Sequence, residues 1–94
     1  MNKSIFKKDI NRIINITKRS GADKAILFGS CLENIDSAHD IDIAVEGVNP
    51  LKFFDMYGEI LSSVNENVDI IPMEDARHHL YESINKYGKV LYER

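Results

Sequence analysis

The chain has 94 residues, with 12 Lys or Arg against 15 Asp or Glu and a formal net charge of −3. This length predicts one domain over residues 1–94 with a modest core, and the acidic balance gives no general attraction to nucleic acids or membranes. The only cysteine, Cys31, excludes an intramolecular disulfide, and no apolar run approaches membrane length. The N-terminus is too interrupted by charge for a signal peptide, so we expect a cytoplasmic protein.

The first predicted element is an amphipathic helix, in which apolar residues recur every three or four positions. These residues are Phe6, Ile10, Ile13, Ile14 and Thr17. Charged residues between them, Asp9 included, are assigned to the solvent face, and Ser20-Gly21 is the predicted end. The apolar residues 25–28 then predict a buried strand that stops at Gly29-Ser30. These two residues either open a short helix or form a tight turn.

The rest of the chain predicts further strands that alternate with helices. A polar loop over residues 34–39 leads to a strand over about residues 41–46, and Pro50 is expected to start a second long helix. Its apolar stripe is predicted to comprise Phe54, Tyr57, Leu61 and Val64, widened by Phe53 and Ile60. Residues 68–71 predict a third strand closed by Pro72.

A last helix is predicted to end at Gly88, and residues 89–92 are compatible with a short fourth strand. The apolar positions of this last helix are Met73, Ala76, Leu80, Ile84 and Tyr87. The whole order favours an α/β or α+β fold, in which helices cover one small β-sheet. Strand order and direction stay open at this stage.

Two acidic residues, Asp40 and Asp42, alternate with Ile41 and Ile43 in the second strand. Successive side chains of a strand point to opposite faces, so the isoleucines enter a core while both carboxylates share the other face. Aspartate is depleted in strands, and two of them carry a cost that a functional role would explain. The alternative is an edge strand with one face in water.

A third carboxylate, Asp69, interrupts the apolar strand over residues 68–71. If that strand pairs beside the second one, Asp40, Asp42 and Asp69 meet on one sheet face. Hard oxygen ligands of this kind suit Mg²⁺, with phosphate oxygens and water completing its octahedron. The Gly29-Ser30 turn offers a close backbone approach, a hydroxyl and free N–H groups to a phosphate, although the same pair is also a common turn.

Together, Gly29-Ser30, Asp40-Ile41-Asp42 and the later Asp69 resemble the minimal nucleotidyltransferases of the DNA polymerase β-like superfamily. The resemblance covers almost the whole chain and is closest to the small MNT partners of HEPN proteins in toxin–antitoxin pairs. It implies a nucleotidyltransferase-like fold with a small mixed β-sheet covered by helices, in which Gly29 and Ser30 hold the triphosphate of ATP or another NTP. Asp40 and Asp42 would bind two Mg²⁺ ions, and Asp69 would ligate one metal and help to activate the acceptor hydroxyl.

The same resemblance implies a catalytic role for Asp40, Asp42 and Asp69, and transfer of a nucleoside monophosphate, AMP from ATP, with loss of pyrophosphate. The chain shows no evident part for gripping an RNA, so the expected acceptor is a hydroxyl on a HEPN-type partner protein. No membrane or direct nucleic-acid binding is expected, and apolar helix faces leave room for an oligomer.

Two departures from the family pattern keep other functions open. Glu33 stands where the family pattern has an arginine three residues after the serine, and the spacer before Asp40 is one residue shorter. Glu33 removes a phosphate partner and adds negative charge. One alternative is therefore an antitoxin that neutralises its partner by binding alone. Another is an acidic α/β domain whose aspartates only face solvent.

A few other residues have reactive side chains but belong to no recognisable motif. His39, His78 and His79 lack metal-ligand spacing and are interpreted as solvated, and Asp36 as a turn former. Cys31 has no base partner nearby in the sequence and is predicted to be a small buried hydrophobic residue.

Overall fold

A computed structural model describes all residues, 1–94, and contains four helices and four strands. The helices are α1 (Lys3–Arg19), α2 (Ser30–Glu33), α3 (Pro50–Ser63) and α4 (His78–Tyr87), and the strands are β1 (Lys24–Phe28), β2 (Asp40–Glu46), β3 (Asn67–Pro72) and β4 (Lys89–Glu93). None of these helices combines the length and apolar character that a membrane-spanning helix needs. The predicted order of elements is confirmed, and Gly29-Ser30 opens a short helix.

The four strands form one sheet in the order β3-β2-β1-β4. Strand β1 runs antiparallel to both β2 and β4, whereas β2 and β3 are parallel. Parallel neighbours need a long crossover, and α3 supplies it between β2 and β3. The sheet is therefore mixed, as the family resemblance implied.

The two faces of the sheet carry separate apolar clusters, because side chains alternate along each strand. The larger cluster joins α1 and α3 to one face, with Leu27 and Ile43 among its strand residues. The smaller cluster lies on the other face and comprises Ile26, Ala44, Met73 and Ile84. The second face is thus covered mainly by α4 and the short 3₁₀ turn Met73–Asp75.

The predicted apolar face of α3 is confirmed at Phe53 and Ile60 but is wrong at Phe54 and Leu61. The buried residues are Phe53, Met56 and Ile60, whereas Phe54 is 79% exposed and Leu61 is 52% exposed. Adjacent helical positions are about 100° apart, so Phe53-Phe54 and Ile60-Leu61 each offer two possible stripes. Packing against the sheet selects one of them, and the Tyr57 hydroxyl donates to the Val68 carbonyl at 3.1 Å on that side.

The last helix is shorter than predicted. Met73 lies in the 3₁₀ turn, where it is buried in the smaller cluster, and α4 begins only at His78. Ile84 is the one buried residue of α4, while Leu80 and Tyr87 are exposed. The predicted stripe therefore merges a 3₁₀ turn and a helix, because Met73 continues the apolar spacing by coincidence.

The assignment of Asp9 to the solvent face is also wrong, because its side chain is completely buried. Its carboxylate accepts hydrogen bonds from the backbone N–H groups of Asn65 and Glu66 and from the Asn65 amide, at 2.9–3.2 Å. Arg12 lies 3.8 Å from the same carboxylate. Asp9 thus ties α1 to the loop between α3 and β3, which leads directly into the strand that carries Asp69.

Replacement of Asp9 by Ala is expected to lower the free energy of unfolding by about 2–4 kcal/mol, because partly buried N–H donors lose a charged acceptor. Urea denaturation measures this loss. Asn11→Ala on the exposed side of α1 is the matched control, with an expected change within about 0.5 kcal/mol. Equal stability of the two variants would contradict a structural role for Asp9.

Candidate active site

Three aspartates share one face of the sheet at the N-terminal end of β2. Asp42 lies opposite Asp69 in the parallel β2–β3 pair, and Asp40 is two residues earlier in β2. The same face carries Ala44 and Ile71 of the smaller apolar cluster further along the strands. Asp40 and Asp42 are half-buried and Asp69 is exposed. The structure therefore brings the three predicted carboxylates together on an accessible surface.

Gly29 lies directly against this carboxylate group. The antiparallel pairing of Phe28 with Asp42 brings the end of β1 beside the start of β2. Gly29 has φ +80° and ψ −153°, a backbone conformation that essentially only glycine adopts. A Cβ built at Gly29 would collide with Oδ2 of Asp42. Glycine is thus required here for both its backbone conformation and its lack of a side chain.

Ser30 follows as the first residue of α2 and is exposed. The first N–H groups of a helix have no partner within it, so they are available to an anion beside the Gly29 turn. Glu33, in the same turn of helix, is exposed and adds a negative charge to this end of the chain. The predicted phosphate residues are therefore next to the carboxylates, with an acidic residue nearby.

Cys31 connects α2 to the carboxylate strand. It is 5% exposed, and its thiol donates to the Asp40 carbonyl at 3.2 Å. Burial raises the pKa of the Cys31 thiol, and the charge of Asp42 raises it further. A protonated thiol packs and donates rather than attacks, so Cys31 holds the start of β2 in place. Its burial was predicted from the sequence, but its contact with Asp40 was not.

The local electrostatics favour a bound cation. Burial raises the pKa of Asp42 above its ordinary value, and the charges of Asp69 and Asp40 raise it further. A cation that neutralised these carboxylates would relieve that repulsion. No group of three or more His, Cys, Asp or Glu side chains in this structure is arranged to hold a metal ion. Mg²⁺ is usually bound by one or two carboxylates plus substrate phosphates and water, and these donors fit that chemistry.

The other residues with reactive side chains lie outside the carboxylate group. His78 and His79 are exposed on α4, and Nε2 of His78 is 3.1 Å from Oε1 of Glu82. His39 and Asp36 are exposed in the loop before β2. The interpretation of the three histidines as solvated agrees with these positions, and Asp36 lies in a turn, as predicted.

Comparison with solved structures identifies the fold. A toxin–antitoxin crystallised with AMP-PNP superposes with a TM-score of 0.75 at 23% identity, covering 90% of this chain and 73% of that one. An MNT antitoxin complex with tri-AMPylated Shewanella oneidensis HEPN toxin gives 0.72 at 22% identity, covering 94% and 72%. The toxin–antitoxin MntA–HepT gives 0.71 at 22%, covering 94% and 73%. At these identities the similarity concerns the fold.

Sequence comparison identifies the family. No protein of curated function matches the chain. Residues 11–94 match the family model described as polymerase beta, nucleotidyltransferase. This match spans the whole sheet and all three aspartates, and it agrees with the mixed four-stranded sheet and its helices. The chain therefore belongs to the polymerase β nucleotidyltransferase family.

Proposed function

We propose that residues 1–94 form a single minimal nucleotidyltransferase domain that transfers AMP from ATP to a hydroxyl of a partner protein. The observation that carries this proposal is the face shared by Asp40, Asp42 and Asp69, with the Gly29 backbone packed against Asp42. Family membership supports the reaction class. The raised pKa of Asp42 supports a cation at this position.

Each residue of the proposed site has a separate role. Asp40 and Asp42 would hold two Mg²⁺ ions, and Asp69 would ligate one of them and help to take the proton of the acceptor hydroxyl. The ions, when bound, neutralise phosphate charge and stabilise the attacking and leaving oxygens. Gly29 allows the triphosphate to approach the backbone, while Ser30 donates its hydroxyl and N–H. The acceptor oxygen forms a bond to the α-phosphorus as the bond to pyrophosphate breaks.

The proposed acceptor is a HEPN-type toxin, which this chain would neutralise as an antitoxin. Solved complexes of the same fold pair an MNT antitoxin with a HEPN toxin, and in one of them that toxin is tri-AMPylated. The accessible carboxylate face supports an acceptor delivered by another protein, since Asp69 and Ser30 are exposed.

The second candidate function is an antitoxin that neutralises its partner by binding alone. Glu33 favours it, because this carboxylate lies in the turn of helix that begins at Ser30 and would repel a triphosphate. The two functions differ in whether Asp40 and Asp42 are needed for neutralisation.

The test is incubation of the chain with Mg²⁺, ATP radiolabelled on its α-phosphate and the product of the neighbouring gene, which we expect to be the HEPN-type partner. We expect radiolabel on the partner that remains after washing under denaturing conditions. The double variant Asp40→Asn plus Asp42→Asn should transfer no label. Label that persists in the double variant would refute the catalytic assignment. If the double variant transfers no label but still rescues growth from the toxin, the result would instead support neutralisation by binding alone.

A further inference from the structure

A basic groove lies on the face of the sheet opposite the carboxylates, between the start of α1 and β4. It has a volume of about 380 Å³. Three lysines, Lys3, Lys7 and Lys89, line it around an apolar floor that includes Phe6, Leu27 and Leu91. Leu27 and Leu91 belong to the larger apolar cluster or pack against it, so the groove is formed by the core of the fold.

The three lysines are not engaged elsewhere in the chain. The ion pairs of the structure involve Arg12, Arg19, Lys24 and His78, and none of them includes a groove lysine. This concentration of positive charge stands out in a chain whose net charge is −3. The groove is therefore a local positive region on an acidic protein.

The position of Lys3 also costs stability. The N-terminus of a helix carries a partial positive charge that favours acidic side chains. The first turn of α1 contains no acidic residue, and Lys3 is its first residue. An acidic ligand in the groove would offset that unfavourable arrangement.

The groove also borders an open strand edge. β4 is the last strand of the sheet, so one side of its backbone has no neighbouring strand. An extended peptide can pair with such an edge and place alternate side chains over the adjoining surface. The apolar floor would accept aliphatic side chains, and the surrounding lysines would pair with carboxylates.

We propose that this groove binds an extended segment of a partner protein in which Asp or Glu flanks aliphatic residues. A protein segment fits better than a nucleic acid, because single-stranded nucleic acids are bound on aromatic stacking platforms and Phe6 is the one aromatic residue of the floor. The net negative charge of the chain would also repel an extended polyanion. This binding site is independent of the proposed nucleotidyl transfer.

The test uses the whole chain and a defined probe, the acetylated and amidated peptide Glu-Thr-Leu-Thr-Leu-Thr-Glu, whose leucines and flanking glutamates share one face when it is extended. We expect its addition to ¹⁵N-labelled protein to shift the amide signals of Lys3, Lys7, Leu27, Lys89 and Leu91. The triple variant Lys3→Glu, Lys7→Glu, Lys89→Glu should bind the peptide at least tenfold more weakly. Its folding is not expected to suffer at Lys3, because acidic residues suit a helix N-terminus.

The matched control is Lys8→Glu, Lys52→Glu, Lys86→Glu, which changes net charge equally at exposed lysines outside the groove. It should change the peptide affinity less than twofold. Absence of peptide binding, equal weakening in both variants, or signal shifts confined to other surfaces would overturn the proposal. Tighter groove binding by a single-stranded oligouridylate than by the peptide would also overturn it, in favour of a nucleic acid.

Discussion

Asp42→Asn is expected to reduce AMP transfer at least about a thousand-fold, a loss of about 4 kcal/mol of transition-state stabilisation. Asp42 lies between Asp40 in its own strand and Asp69 in the neighbouring strand, so the substitution removes the central carboxylate of the group. The measurement is the rate of radiolabel transfer to the partner at saturating Mg²⁺ and ATP. Asp36→Asn, at an exposed loop position, is the matched control and should retain full activity.

The same substitution is expected to make the apo protein more stable at neutral pH. The pKa of Asp42 is raised above its ordinary value of 3.8 in the folded chain, so folding binds protons and the charged carboxylate costs stability. This cost is fully present above the raised pKa and disappears as the pH falls to 3.8. The gain in melting temperature of Asp42→Asn over the native chain should therefore shrink on acidification.

Two outcomes would contradict this interpretation of Asp42. Thermal stability that falls in Asp42→Asn would show that the carboxylate supports the fold. If added Mg²⁺ stabilised the native chain and the variant equally, the ion would bind elsewhere. A ligand stabilises a folded protein only to the extent that it binds it, so loss of the Asp42 carboxylate should weaken the stabilisation.

Gly29→Ala is the second substitution with a large expected effect. It forces a non-glycine residue into a backbone conformation that costs about 1–3 kcal/mol. Its Cβ would also displace the Asp42 carboxylate with which it collides. Because misplacement of a reacting group by about 1 Å costs on the order of a hundred-fold in rate, transfer should fall at least that far. The measurements are urea denaturation and the transfer rate.

The chain contains matched controls for this substitution. Gly47 has φ +85°, and a Cβ there would collide with the Asp23 carboxylate at the other end of β2. Gly21 has φ +93° with no atom within 4 Å of a built Cβ. All three alanine variants should lose stability, but only Gly29→Ala should lose transfer disproportionately. Equal loss of transfer in Gly47→Ala would assign the effect to general destabilisation.

The local sequence pattern predicted the helices and strands correctly where it allowed only one interpretation. The strand around Ile26, the alternation through Asp40 and Asp42, and the start of α3 at Pro50 are confirmed. The errors fall where neighbouring positions are both apolar, as at Phe53-Phe54, or where a short 3₁₀ turn continues helical spacing, as at Met73. In these places the choice depends on which surface the sheet presents.

Some features of the candidate site also follow from the local sequence, whereas others depend on the tertiary structure. The sequence by itself determined that Asp40 and Asp42 share a face, because strand periodicity depends only on the backbone, and that glycine interrupts the chain after β1. Only the tertiary structure decided that Asp69 lies opposite Asp42, since strand pairing joins distant parts of the chain. It also decided that Asp9 is buried under the loop leading to β3, because its hydrogen-bond donors come from residues 65 and 66. Local spacing carries no information on such long-range partners.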